Sequence, residues 1–101
     1  MSVRASESHD GYTVTLHIDG RFDFSSHQAF VAAYKAYEQG AKQFVVDFKN
    51  TEYLDSSALG MLLQLREHNR SGAQVQLINE SDTVSEILRI ANFDKLFKLA
   101  A

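Results

Sequence analysis

The segment Asp55-Ser56-Ser57-Ala58-Leu59-Gly60 sets two hydroxyls directly behind a carboxylate, at the head of a leucine-rich run. Asp and Ser are favoured where a helix begins, because their side-chain oxygens accept hydrogen bonds from first-turn amides that have no partner inside the helix. The same place offers free donors and the positive end of the helix dipole to an anion. Two chemistries therefore fit these residues: a plain helix cap, or a serine that receives a phosphoryl group. A phosphate adds about −1.5 to −2 charges and three strong acceptors. It would take this chain from a formal net charge of −3 to about −5. A second carboxylate, Asp23, is expected close by in Gly20-Arg21-Phe22-Asp23-Phe24. A partner docked on these loops would meet a new dianion among existing carboxylates, and like-charge placement at an interface costs several kcal/mol.

Hydrolytic chemistry needs a nucleophile, a base and an orienting group. The chain has no Gly-x-Ser-x-Gly elbow, and its histidines fall elsewhere than the expected functional loops. His17 is expected on a strand face, His27 in a helix, His68 near a helix end and His9 beside a turn. No His-x-x-x-His spacing occurs and there is no cysteine, so neither a histidine pair nor a thiolate cluster for metal is in view. The expectation is a protein that is not an enzyme and carries no catalytic residue, metal or cofactor.

The elements that must position Asp23 and Ser56 follow from turn signals and periodicity. Asp10-Gly11 marks a hairpin turn between Val3–Ser8 and Tyr12–Asp19. In the second run Tyr12, Val14, Leu16 and Ile18 share one face, opposite Thr13, Thr15 and His17. Gly20 is expected to break that strand, with Arg21–Phe24 a short loop whose Phe22 and Phe24 either anchor it or face a partner. Ser25 with Gln28 has capping-box spacing, and Phe30, Ala33, Tyr34 and Tyr37 follow at helical spacing, with Gly40 suited to the helix end. Phe44–Phe48 is short and apolar, a buried strand. Lys49–Leu54 is expected to be a loop. Ala58–Leu65 makes a second helix with basic residues in its last turn, ended by Ser71-Gly72. Val75, Leu77 and Ile78 form a strand. Ser81-Asp82 starts a third helix with Val84, Ile87, Leu88 and Ala91 on one face, and Leu96–Leu99 closes the chain as a short strand.

The order is β-β-α-β-α-β-α-β, an α/β fold with a mixed β-sheet packed with helices. Alternation favours parallel strands joined by helical crossovers. In such sheets, functional loops gather at the carboxyl ends of the strands. Gly20–Phe24, Lys49–Ser56 and Asn79–Ser81 are expected to meet there. At 101 residues the chain fits one domain, residues 1–101, large enough for a single core. Ten basic against thirteen acidic residues, with no basic cluster, disfavour nucleic acid as a partner. No apolar run approaches the ~18 residues that span a bilayer, and residues 1–7 lack the apolar core of a secretory signal. A cytoplasmic location is expected.

Four stretches resemble the STAS domain of anti-sigma-factor antagonists. Gly20-Arg21-Phe22-Asp23 is similar to that family's Gly-x-x-Asp, Phe44–Phe48 to its apolar third strand, Leu54–Gly60 to its phosphorylation motif, and Ile90–Phe97 to its C-terminal ending. The resemblance covers nearly the whole chain in order and spacing. It implies a partner switch in which Ser56 is the phosphoacceptor and Asp23, Asp55, Ser57, Arg21 and Phe22 belong to the surface met by partners. The implied partners are a Ser/Thr kinase that is often also an anti-sigma factor, and a PP2C-type phosphatase that resets the serine. The alternative within the same resemblance is a constitutive STAS binding subunit of a transport or signalling complex, without a phosphoryl switch. Ala58 stands where the family often has glycine, and Arg21 where it often has an acidic residue.

Overall fold

Asp10 and Gly11 turn the chain back on itself between the first two strands. The Asp10 carboxylate accepts from the Ser8 hydroxyl at 2.7 Å and the Tyr12 amide at 2.9 Å, and Gly11 takes a φ of +72° that an L side chain rarely adopts. The computed structural model describes residues 2–37, 43–68 and 74–99. The first strand, β1 (Ser2–Glu7), pairs antiparallel with β2 (Thr13–Phe22), in a register running from Ser2 opposite Asp19 to Glu7 opposite Val14. A 3-10 turn (Phe24–Ser26) leads into α1 (His27–Lys35). Then come β3 (Gln43–Asp47), β4 (Thr51–Leu54), α2 (Ser56–His68), β5 (Gln74–Ile78), α3 (Asp82–Ile90), a second 3-10 turn (Phe93–Lys95) and β6 (Lys98–Leu99).

The sheet runs β1-β2-β3-β5-β6, with β4 added beside the upper half of β2. Among the described residues only the β1–β2 pair is antiparallel; the other pairs are parallel. The alternation read along Tyr12–Ile18 places Val14, Leu16 and Ile18 on the buried face. Phe44 and Val46 of β3 and Leu77 of β5 continue that face. Phe30 and Tyr34 of α1, Ala58, Met61, Leu62 and Leu65 of α2, and Val84 and Leu88 of α3 close over it as one core. The single α/β domain with a mixed sheet and three helices is the fold class expected, with one more strand than expected.

That extra strand corrects two expectations. Lys49–Leu54 is not all loop, and Gly20 does not end β2. The chain turns at Phe48–Asn50, with the Thr51 amide donating to the Phe48 carbonyl, and then extends again. β2 continues through Gly20 because its backbone there takes a φ of +85°. The register shifts between Gly20 and Arg21, and β4 replaces β3 as the parallel partner. The Thr51 hydroxyl, nearly fully buried, donates to the Ile18 carbonyl at 2.7 Å and fastens the new pairing. The four residues of β4 are too few to show a period of two in the sequence.

The cap of the first helical segment differs as well. Asp23 starts it, accepting from the Ser25 amide at 3.0 Å while its own amide donates to the Ser26 hydroxyl at 3.4 Å. The expected Ser25–Gln28 box is displaced by two residues because the segment opens with a 3-10 turn. Ser81 caps α3 as expected, accepting from the Val84 amide. The expected helix ends at Gly40 and Ser71-Gly72 lie outside the described residues.

Phe22, expected on the partner surface, is fully buried. It packs against Phe30 at 5.1 Å and Phe48 at 6.4 Å between ring centroids. Alternation along β2 explains the correction: past the shift at Gly20, Phe22 rejoins the core face and Arg21 takes the outside. Phe22→Ala should cost ~3–5 kcal/mol through lost burial and an unfilled cavity. The expected outcome is a large fall in the denaturation midpoint on urea unfolding, with the far-ultraviolet spectrum retained below it.

Candidate functional site

Two parallel strands end side by side and each delivers an aspartate to the start of a helical segment. Phe22 of β2 pairs with Leu54 of β4, and the Asp55 amide donates to the Phe22 carbonyl at 3.3 Å. Asp23 and Asp55, the residues that follow the pair, are thereby neighbours across the ladder. Gly20–Phe24 and Lys49–Ser56 do meet, as expected. The third loop, after β5, is anchored lower down: the Asn79 amide side chain donates to Asp47 at 2.9 Å, and the Phe48 amide donates to the Ile78 carbonyl.

Asp55 caps α2. Its Oδ1 accepts from the Ala58 amide at 3.1 Å and from the Ser57 hydroxyl at 2.6 Å. The Ser57 hydrogen bond is the main reason its carboxyl sits below the usual carboxylate range; partial burial opposes the shift and the Ala58 and Ser57 amides add to it. Asp55 is thus ionised near neutrality and already holds the first-turn amide of Ala58. Ser57 is half-buried and engaged with Asp55, whereas Ser56 is exposed. No hydrogen bond within the described residues holds the Ser56 side chain. The two adjacent serines, alike in sequence, differ in availability.

Around them the surface mixes charge with exposed apolar groups. The Arg21 guanidinium lies 4.7 Å from the centre of the Tyr53 ring, a cation–π contact worth about 0.5–1 kcal/mol when exposed. Its Nε is 3.9 Å from an Asp23 oxygen. Arg21 is 63% exposed. Phe24, beside Asp23, is 74% exposed and stacks loosely on His27. It is the outward aromatic of the loop, in place of Phe22. Its position just past a strand end was the one available signal in the sequence, and two adjacent aromatics made it ambiguous.

Along α2, Ser56, Gly60, Leu63, Gln64 and Glu67 form the exposed stripe, while Ala58, Met61, Leu62 and Leu65 are buried. Gly60, the last residue of the motif, lies on that exposed stripe. A Cβ built there meets no atom within 4 Å. Intramolecular packing does not require a glycine, and it leaves a bare stretch of helix one turn beyond Ser56. No group of three or more potential metal ligands occurs among the described residues, and no helix there is long and apolar enough to cross a membrane.

Residues 5–99 match the family model described as "Mlab, STAS domain". A STAS-domain containing protein of Pseudomonas aeruginosa is 48% identical over 101 residues, covering 99% of this chain and all of that one. Among solved structures, the anti-sigma factor antagonist SpoIIAA in its unphosphorylated form superposes with a TM-score of 0.82 at 17% identity, covering 99% of this chain and 89% of that one. Its phosphorylated form, from Bacillus, gives 0.74 at 16% identity, covering 99% and 92%. A sulfate transporter family protein from Wolinella succinogenes also gives 0.74, at 19% identity, covering 83% of this chain and 70% of that one.

Two substitutions read the local physics. Asp55→Ala removes the cap and should cost ~0.5–2 kcal/mol at neutral pH. Because the folded carboxyl is held below its ordinary value, its stabilisation is present above an unfolded pKa of ~3.9 and is lost as pH falls through the folded value. The gap between wild type and variant in urea unfolding should therefore close on acidification. Gly60→Ala should stabilise the free protein by ~0.5–1 kcal/mol, since alanine is the better helix former and has room. A higher melting temperature checks it.

Proposed function

The chain belongs to the STAS domain family, and from that premise we propose that it is a protein-binding switch of the anti-sigma-factor antagonist kind, set by phosphorylation of Ser56. The observation that carries this reading is the contrast at the start of α2. Ser56 is exposed and no hydrogen bond among the described residues engages its hydroxyl, while Ser57 next to it is bound to Asp55.

A partner Ser/Thr kinase, itself the anti-sigma factor or another effector, transfers the γ-phosphoryl group of ATP to Ser56 Oγ. The hydroxyl proton is released and ADP leaves. A PP2C-type phosphatase later hydrolyses the ester. The chain itself catalyses neither step. Asp23, Asp55, Ser57 and Arg21 form the charged part of the surface that partners meet, and exposed Phe24 offers it an apolar anchor. A kinase that draws on ATP implies a cytoplasmic location for the switch.

The cap geometry explains why the phosphate acts outward. Asp55 already occupies the Ala58 amide, so this donor is not open to the new anion. The phosphate stands beside Asp55 and across from Asp23, and the local negative charge is presented to whatever docks. Arg21 is the near cation and offsets part of it. A tenfold loss of affinity needs only ~1.4 kcal/mol, well within the cost of facing like charges across an interface.

The likeness to a sulfate transporter family protein supports a second reading, a constitutive binding subunit that keeps the surface and lacks the switch. Mass spectrometry of the protein isolated from its own cells separates the two. One phosphate on Ser56 is the expected result; stable co-purification with a transporter and no phosphate favours the subunit. Ser56→Ala should stay folded and bind its partner irrespective of kinase and ATP. Ser56→Glu should weaken binding about tenfold or more, as titration calorimetry with the partner kinase would show. Phosphate incorporation into the Ser56→Ala protein would falsify the site.

A further inference from the structure

The sheet face turned away from the helices carries a second constellation that the switch does not use. Ser6 of β1, His17 of β2 and Asp47 of β3 reach across three strands. Ser6 Oγ lies 2.9 Å from His17 Nε2, and His17 Nδ1 lies 3.1 Å from Asp47 Oδ2. The other oxygen of Asp47 accepts from the Asn79 side chain and the Lys49 amide, each at 2.9 Å. Strand register builds this alignment: His17 is directly opposite Asp47, and Ser6 is diagonal to His17 on the same face.

The direction of each hydrogen bond follows from what the groups can do. An ionised carboxylate only accepts, so His17 Nδ1 carries the hydrogen. In the neutral ring Nε2 is then the acceptor, and the Ser6 hydroxyl must be the donor. With the ring in that neutral form, the Ser6 proton is directed onto an imidazole whose ring is held by a carboxylate, itself held from behind. This is the nucleophile, base and orienter sequence that activates a serine. Ser6 is exposed on the edge strand, where small molecules can approach it.

We propose that Ser6 is an acyl-acceptor site, deprotonated by His17 and supplied by small acyl phosphates. The three residues contribute no donor for a developing oxyanion, so the acyl group must arrive already activated. Ser6 Oγ bonds to the carbonyl carbon and its proton passes to His17 Nε2. The bond from that carbon to the phosphate oxygen breaks; phosphate leaves with the electron pair and takes the proton from His17. The products are an acylserine ester and inorganic phosphate, with no change of oxidation state. Asp47 is a positioning residue in this step. The ester replaces the hydroxyl that binds His17, so acylation removes one tie between β1 and the rest of the sheet.

The test incubates the full chain with acetyl phosphate and follows each site by peptide mass spectrometry, with hydroxylamine lability identifying an ester. Ser2 and Ser8 are internal references, because their hydroxyls donate to the carboxylates of Asp19 and Asp10 and have no imidazole. Ser6 should acetylate at least about tenfold faster than either, and His17→Gln should lower its rate by at least about tenfold, the low end of general-base effects. Asp47→Asn should slow it too, and thermal melting identifies any variant that does not fold; His17→Gln alone then decides. Acetylation of Ser6 at the rate of Ser2 and Ser8, or an unchanged rate in a folded His17→Gln protein, would overturn the proposal and leave the trio as a stitch between strands. Ser56→Ala should acetylate like wild type, which keeps this result separate from the fate of the switch.

Discussion

The Thr51 hydroxyl donates to the Ile18 carbonyl at the point where β2 leaves β3 and takes up β4. The rest of the candidate site depends on that joint. A buried carbonyl without a partner is costly, and the bulge that lets β2 change neighbours would otherwise leave carbonyls facing nothing. Gly20 makes the change possible with its positive φ, and its amide is in turn satisfied by the Asn50 carbonyl. Once β4 is in register, Phe22 lies opposite Leu54. The two aspartates that follow then stand at two helix starts in adjacent positions.

The electrostatic character of the site is set by those two caps. Each aspartate is engaged by hydrogen bonds within its own helix start, and at Asp55 the Ser57 hydroxyl and the first-turn amides hold the carboxyl below the usual carboxylate range. Arg21 is held between the Tyr53 ring and Asp23 by weak, exposed contacts, which leaves it able to respond to a change of charge nearby. Below this surface Phe22, Phe30 and Phe48 fill the space, so the loops rest on a packed core. An exposed cation and an exposed serine thus sit over a packed aromatic core, the setting that the proposed switch calls for.

The two faces of the sheet do different work. One is apolar and covered by all three helices. The other carries hydrogen-bonded polar side chains: Thr13 to Gln43, Gln43 to Gln76, and Ser6 to His17 to Asp47. The pull of Asn79, the Lys49 amide and His17 on Asp47 outweighs the opposing effect of burial, the largest single influence, and holds its carboxyl below the usual range. Polar side chains on a strand read simply as the solvent side. Only pairing across strands brings three of them into one hydrogen-bonded line.

Much of the fold was legible because its signals are local. Alternation along Tyr12–Ile18, the Asp10-Gly11 turn, the Asp55 cap and the 3.6-residue stripe of α3 each need only neighbouring residues to be recognised. They determine a mixed α/β fold with a carboxylate and two serines at the head of a helix, and the motif resemblance singles out Ser56. What the sequence left undecided is non-local. The shift at Gly20 is settled by a partner strand thirty residues away, so β4 was invisible and Phe22 was assigned to the surface although it belongs to the core. The difference between Ser56 and Ser57 in hydrogen bonding, the bare stretch at Gly60, and the junction of Ser6 with His17 and Asp47 likewise arise only when distant backbone segments are brought into register. Residue type and spacing determined which groups are present; strand pairing decided which of them face one another, because a hydrogen bond depends on position in space and not on separation along the chain.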